Sequence, residues 1–336
     1  MKRTLARAGV YAAVVVVLSL AAVLSIALDW RYQGNSDPVV LYIEPGTSSR
    51  SIARELESQG VIASRWLFLA VRALRPRATL MAGEYSFALP ISAWRVFDRI
   101  SSGQVEYHPF TIPEGYNRFE IAEVLEQQQF VGSEEFLKEC SRTERVRDLF
   151  PGAASLEGFL FPDTYHLSYP FSAAKIVDLM VQRFRTVFGE LTRTTTSNLS
   201  TGELVTLASM IEKETGVGSE RGLVSSVFHN RLRRGMLLQC DPTVIYGLIL
   251  EDRYRGQLLR AHLDEKRPYN TYVHTGLPPG PIANPGRESL EAALRPAESA
   301  YLFFVAEGNG SGAHVFSENL QAHTRAVGAY RRSRSQ

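Results

Sequence analysis

One glutamate on the apolar side of a helix is the residue of this chain best placed to do acid chemistry. Ser200 and Glu203 have the S-x-x-E spacing of a capping box, which predicts a helix start. Gly216 is the expected stop. Between them Leu204, Leu207, Ala208 and Ile211 recur at helical spacing and define an apolar stripe. At about 100° per residue, Glu214 falls between Leu207 and Met210, on that stripe's side. Lys213 points away, and Glu212 sits at the opposite edge, less buried. Burial disfavours the charged form of a carboxyl, and the negative end of the helix dipole acts in the same direction. Glu214 is therefore expected to hold its proton near neutral pH, as general-acid cleavage of a glycosidic bond requires. A structural glutamate paired with an arginine is the competing reading of this position.

Other polar residues are weaker candidates. Asn230 lies off the centre of a helical face made by Leu223, Val224, Val227, Phe228 and Leu232, so it is either a substrate contact or a solvated side chain. Asp241 before Pro242 reads as an N-cap followed by a first-turn proline, and capping alone can account for it. Tyr269, Asn270, Thr271 and Tyr272 mix aromatic faces with amide and hydroxyl groups, a combination that suits sugar; core tyrosines are the alternative. The Pro/Gly-rich segment 276–286 is stiff enough to form a groove wall or simply to connect elements. The seven histidines are scattered, and the chain contains no H-E-x-x-H and no P-loop, so neither a metal nor a cofactor is expected. Cys140 and Cys240 match no zinc spacing and no C-x-x-C, and are expected to be free, inert thiols. A net charge of +2 gives no support for nucleic-acid binding.

The elements that must position these residues read as α+β rather than as an alternating βαβ array. Helices are expected over 173–188, 201–215, 220–234, 242–250, 287–294 and 317–330, and strands over 301–305 and 314–316. This region, 156–330, is the expected catalytic domain, followed by a basic tail over 331–336 that includes Arg331, Arg332 and Arg334. Upstream there is a weak internal repeat. Tyr42–Gly46 precedes Ile52–Leu56, and Thr111–Gly115 precedes Ile121–Leu125, each reading as strand, glycine turn and amphipathic helix. The first copy belongs to a small α/β module over 39–106, with a further strand at 85–89 and a helix at 94–100. The second opens a unit over 107–155 that leads into the catalytic domain. Trp66, Phe68 and Leu69 are expected to fill a core. The first copy, and less closely the second, resembles a LysM-like module, a fold often used to hold glycan.

At the N-terminus, Ala8 to Leu28 carries no charge, with Lys2, Arg3 and Arg7 before it and Asp29 and Arg31 after it. A run of about 20 apolar residues can cross a hydrocarbon core. The basic flank predicts a single-pass anchor over 1–30, with its N-terminus in the cytoplasm and everything beyond about 30 outside. A cleaved signal peptide is the alternative. A polar, turn-rich linker is expected over 31–38.

A set of ordered motifs carries a more specific resemblance. They are Leu156-Glu157-Gly158-Phe159-Leu160-Phe161-Pro162-Asp163-Thr164-Tyr165, Ile211-Glu212-Lys213-Glu214-Thr215, the segment Ser225 to Leu232, Asp241-Pro242-Thr243-Val244-Ile245-Tyr246-Gly247, and Tyr269 to Ile282. Together they resemble the YceG-like (MltG-type) endolytic murein transglycosylases over nearly everything after residue 38. The resemblance implies that Glu214 is the only catalytic carboxylate. It would protonate the oxygen between N-acetylmuramic acid and N-acetylglucosamine, then act as base on the muramyl C6 hydroxyl to leave a 1,6-anhydro end. An internal nucleophile needs no second carboxylate, because proximity within the substrate does the work. The resemblance also implies an endolytic cut in nascent glycan strands, a limit on strand length, and proximity to penicillin-binding wall synthases at the cytoplasmic membrane. Gln239 becomes a candidate contact through its motif, whereas Glu157, Asp163 and Tyr165 receive no role. Cys240 stands where that family usually has threonine, which puts a hydroxyl's role there in doubt. A wall-binding anchor without catalysis and a muramidase that uses water are the rival readings.

Overall fold

A computed structural model describes residues 2–33 and 37–333. Gly34, Asn35 and Ser36 of the expected linker and Arg334 to Gln336 of the expected tail lie outside the described residues. The chain divides into two compact units: residues 1–109 with 166–170, and residues 110–165 with 171–336. The 110–155 stretch thus belongs to the same unit as the glutamate helix.

The first unit begins with helix α1 (Lys2–Asp29) and continues through β1 (Val39–Ile43), α2 (Ser49–Ser58), α3 (Arg65–Leu74), β2 (Gly83–Phe87) and α4 (Ala93–Ser102). β1 and β2 pair antiparallel, Leu41 opposite Tyr85 and Ile43 opposite Gly83. Alternate residues of both strands are buried, as a strand with one face on a core requires. Ser48, Ser64 and Ser92 each accept a hydrogen bond from the first turn of the helix they precede. Ile52, Ala53, Leu56, Phe68, Val71, Val96 and Phe97 meet in one core that also takes in Leu28 from the end of α1. Trp66 departs from expectation: it is 68% exposed, with the Arg65 guanidinium 5.7 Å from its ring. At about 100° per residue it lies on the face opposite the one that Phe68 and Val71 bury. On α1, Val14 to Val17 are exposed. Among the described residues, no helix is long and apolar enough to cross a membrane. The side chains of residues 2–10, 12 and 24 are outside that description.

The repeat is visible in the elements. β3 (His108–Thr111) leads through a glycine turn into α5 (Arg118–Gln127) and α6 (Ser133–Cys140), as β1 leads into α2 and α3. The turn glycines of both copies, Gly46 and Gly115, have φ of 83° and 76°, a left-handed conformation that glycine adopts at little cost. β3 pairs with β4 (Thr164–Leu167).

The second unit continues with α7 (Ala173–Thr192), α8 (Thr201–Glu214), α9 (Arg221–Arg233), α10 (Asp241–Leu250), α11 (Arg260–Leu263), α12 (Arg287–Leu294), β5 (Phe303–Ala306), β6 (His314–Ser317) and α13 (Leu320–Ser333). β5 and β6 form an antiparallel hairpin. The expected 317–330 helix begins three residues later and runs through Arg331 and Arg332 to Ser333, so the basic residues there are helical rather than a frayed tail. Both thiols are free and buried.

α8 is the centre of this unit. The expected capping box is present: Ser200 accepts from the Glu203 backbone, and the Glu203 carboxylate accepts from the Ser200 N–H at 2.8 Å. Burial is not confined to one stripe, because Gly202 and every residue from Leu204 to Ile211 are buried. The polar members satisfy themselves. Thr206 Oγ1 donates to the Gly202 carbonyl at 2.7 Å, and Ser209 Oγ donates to the Thr206 carbonyl while accepting from Ile282 N at 3.0 Å. α8 packs against α9, α10 and α12. The helix meets the surface only at its two ends, at Thr201 and Glu203 and again in its last turn.

Candidate active site

The last turn of α8 places its two glutamates in different surroundings. Glu212, expected at the less buried edge, has a side chain only 6% exposed. It accepts from Gly286 N at 2.9 Å, at the start of α12, and lies 3.4 Å from the Arg221 guanidinium. An anion at a helix N-terminus and an arginine together account for it structurally. The helical wheel misses this because both partners lie outside the helix. Lys213 is exposed and donates to the Gly115 carbonyl at 3.1 Å. The helix ends on extended Thr215, whose hydroxyl accepts from Val217 N at 3.0 Å, rather than on a left-handed Gly216.

Glu214 opens onto a cavity of about 300 Å³. Arg231 from α9, Leu238 and Gln239 from the following connection, Asp241 from α10, Tyr272, Phe304 from β5 and His323 from α13 complete its walls. Burial raises the proton affinity of Glu214 above that of an ordinary carboxylate. A hydrogen bond from the Cys240 thiol opposes this, the charge of Asp241 adds to it, and His314 and Arg231 oppose it more weakly. A thiol is a weak donor, so burial prevails.

The wall opposite is built by backbone tethers. Arg231 is 8% exposed; its Nε donates to the Leu302 carbonyl at 2.7 Å and its Nη1 to the carbonyls of Leu237 at 3.1 Å and Leu238 at 2.9 Å. These bonds fix the connection between α9 and α10. Gln239 has a φ of 51°, left-handed for a non-glycine residue, a sort of strain that persists where surrounding structure enforces it. The enforcement comes from Thr271, whose carbonyl accepts from Gln239 N at 3.1 Å and whose hydroxyl accepts from Cys240 N at 3.0 Å. Tyr272 Oη then donates to Asp241 Oδ1 at 2.5 Å. Asp241 is the first residue of α10, with Cys240 at the cap position, so its carboxylate is free to face the cavity instead of capping.

The sequence candidates therefore separate. Glu214, Gln239, Asp241 and Tyr272 share the cavity. Thr271 stands behind it and holds the strained connection. Asn270 is a loop staple: its Nδ2 donates to the carbonyls of His262, Leu263 and Glu265, and its Oδ1 accepts from Tyr272 N. Tyr269 packs edge-on against Tyr246, with ring centroids 5.2 Å apart, and does not line the cavity. Asn230 is likewise elsewhere, donating to the carbonyls of Ser299 and Tyr301 ahead of β5. Its amide N–H groups are consumed by main chain and its Oδ1 accepts from Arg233, which explains a polar residue beside an apolar face. Sequence reasoning passed over Leu238, Phe304, His323 and above all Arg231. Arg231 falls on the apolar face of α9, in line with Val224 and Val227, and a cation there was the available signal.

Glu157 also has a place. Its carboxylate is fully enclosed and accepts from Arg118 N, Tyr246 Oη at 2.8 Å and Asn284 Nδ2 at 2.8 Å, tying α5, α10 and the 276–286 loop together. Burial pushes its pKa up to about 7 in spite of these donors. Gly158 beside it has a φ of 85° and no room for a Cβ, which would lie 2.5 Å from Pro281 of the same loop.

A sequence profile of the YceG-like family matches residues 41–329, and the chain belongs to that family. It is 30% identical over 318 residues to a Bacillus subtilis protein named endolytic murein transglycosylase, covering 89% of this chain and 86% of the other. A Streptococcus pneumoniae protein of the same name is 26% identical; this chain spans 58% of its length. A crystal structure of a YceG-like protein from Listeria monocytogenes superposes with a TM-score of 0.57 at 30% identity, over 87% of this chain and 99% of that one.

Proposed function

We propose that this chain is an endolytic murein transglycosylase, with Glu214 as both acid and base. The observation that carries the reading is a carboxyl whose burial favours its proton, lining a cavity whose other walls offer a guanidinium, an amide, a hydroxyl and aromatic faces. Such a wall suits a sugar, which stacks on its faces and hydrogen-bonds at its edges. In the cleavage step the Glu214 proton goes to the bridging oxygen of the muramyl–glucosaminyl bond, and the C1–O bond breaks. Glu214, now a carboxylate, takes the proton of the C6 hydroxyl as O6 bonds to C1 of the same sugar. The products are a 1,6-anhydromuramyl end and a glucosaminyl end with a free 4-hydroxyl. The names of the Bacillus and Streptococcus relatives agree with this reaction. Mass spectrometry of digested glycan is the test: anhydro ends support the reading, and an inactive protein refutes it.

Asp241 favours a second reading. It supplies another carboxyl to the same cavity, and two carboxyls are what a hydrolytic muramidase uses. Reducing ends in place of anhydro ends would establish that chemistry. A wall-binding role without catalysis corresponds to no cleavage of either kind.

The same proposal extends to the rest of the chain. α1 serves as a single-pass anchor in the cytoplasmic membrane, N-terminus inside and both units outside. Its support is the uncharged sequence from Ala8 to Leu28, the preceding basic residues and the exposed valines of α1. The β1–α2–α3–β2 module is proposed to hold glycan in the manner of a LysM-like unit, with penicillin-binding synthases as neighbours. Removal of residues 1–30 should release the protein from membranes; persistent membrane association would refute the anchor.

A further inference from the structure

The guanidinium of Arg231 is only partly used by the protein. Of its five N–H donors, the Nε–H serves the Leu302 carbonyl, and the two on Nη1 are shared among Leu237, Leu238 and, at 3.4 Å, Gln239 Oε1. Among the described residues Nη2 has no hydrogen-bond partner, yet it is not sealed from solvent, and the side chain lines the cavity that Glu214 faces. The fork is held immobile, its carbon 5.2 Å from the centroid of Phe303. His323 stacks on the same phenylalanine at 5.0 Å and 20°, and lines the same cavity. Its Nδ1 is shielded and unpartnered, and its Nε2 has no protein partner among the described residues. A fixed cation with a spare planar edge, beside an imidazole with a spare nitrogen, is a receptor for an acyl oxygen.

Resting on the transglycosylase reading, we propose that Arg231 Nη2 and His323 form a subsite for an acyl oxygen carried by the muramyl residue at the cleaved bond. That oxygen belongs either to the lactyl group on C3 or to the acetamido group on C2. Held there, it would fix the sugar's rotation about the axis through the scissile bond and so aim C1 and the C6 hydroxyl at Glu214. Positioning of this kind raises the rate without any proton transfer by Arg231 itself.

The test is binding and turnover with three glycans: muramyl strands bearing stem peptides, the same strands after amidase treatment, and a chitooligosaccharide that lacks lactyl groups. Binding is measured in the Glu214→Gln background, so it does not depend on cleavage. Arg231→Gln should weaken binding of muramyl strands by at least about tenfold, the loss expected for one charge-assisted hydrogen bond. His323→Gln, which leaves the Arg231 tethers intact, should weaken it by a smaller factor without lowering Tm. An equal loss on chitooligosaccharide assigns the acetamido oxygen; a loss confined to muramyl strands assigns the lactyl oxygen. Unchanged affinity for all three glycans in folded Arg231→Gln and His323→Gln variants overturns the subsite. If the wild type makes no anhydro ends while the affinity losses persist, the transglycosylase reading fails and the subsite stands.

Discussion

Replacing Glu214 with glutamine should separate activity from stability, because the structure gives that carboxyl no fixing role. Among the described residues no arginine or lysine bonds to it, and the thiol of Cys240 donates to it. General acid or base assistance is worth about 10²- to 10⁴-fold. With both roles on one side chain, cleavage should fall by at least about 10³-fold, equivalent to about 4 kcal/mol in the barrier. Glu214→Asp, which withdraws the carboxyl by about 1 Å, should cost about 10²-fold.

Stability should move the other way. The folded-state pKa of Glu214 is raised above the ordinary value of 4.5, first by burial. A group shifted in that direction contributes stability that is fully present below 4.5 and is lost as pH rises through the folded pKa. The amide does not titrate. Glu214→Gln should therefore gain Tm relative to wild type between pH 5 and pH 8, and at pH 8 be at least as stable. Anhydro-end counting by mass spectrometry and thermal denaturation at the two pH values provide the check. A variant that retains more than a tenth of wild-type cleavage, or that loses cleavage only together with a large drop in Tm, would refute the reasoning.

Further outcomes follow from the surrounding contacts. Cys240→Ser places a stronger donor on the Glu214 carboxylate, so the alkaline limb of the kcat/KM profile should move to lower pH; an unmoved limb would mean that the thiol contact is inconsequential. Glu157→Gln can keep an oxygen toward Arg118 N and Asn284 Nδ2 only by turning its amide N–H toward Tyr246 Oη, which must then accept instead of donate, and should cost about 1–3 kcal/mol in urea denaturation at pH 6. Wild-type stability should itself decline as pH rises through about 7, where Glu157 gives up its proton. Glu212→Gln should lower stability by about 1–3 kcal/mol, since Glu212 braces Arg221 and the start of α12, while cleavage per folded molecule stays within a few-fold of wild type. A folded but inactive Glu212→Gln would transfer the acid to that residue.

What was legible in the sequence was local. The capping box, the span of α8 and the placement of Glu214 in its last turn depend on residues within a few positions of one another, where side-chain chemistry fixes backbone geometry directly. The two strand–turn–helix copies were legible for the same reason, since a glycine at a left-handed position and a three-and-four apolar spacing are short-range features. Two of the misplacements involve partners distant in sequence. Glu212 is buried by Gly286, and Asn230 is engaged by carbonyls near residue 300. Asn270 is turned inward by carbonyls of the preceding loop. Arg231 is informative in the opposite sense: its spacing on the face of α9 was visible, but a cation on an apolar face acquires a meaning only once the carbonyls of residues 237, 238 and 302 are seen to hold it.

The cavity's second carboxyl decides between the two chemistries. Asp241 accepts a hydrogen bond from Tyr272 Oη at 2.5 Å, and its charge raises the proton affinity of Glu214. The two carboxyls of the cavity thus differ in surroundings, and the proton is favoured on Glu214. On this view Asp241→Asn removes a neighbouring charge and leaves the proton carrier in place. Cleavage should continue, the alkaline limb of the kcat/KM profile should shift to lower pH, and the products should still end in anhydromuramic acid. If Asp241 were instead the nucleophile or the base of a hydrolase, the same substitution would abolish cleavage outright, and the wild type would leave reducing ends. The pH profile and end-group chemistry of this one variant therefore settle whether the substrate's own hydroxyl or a second protein carboxylate completes the reaction.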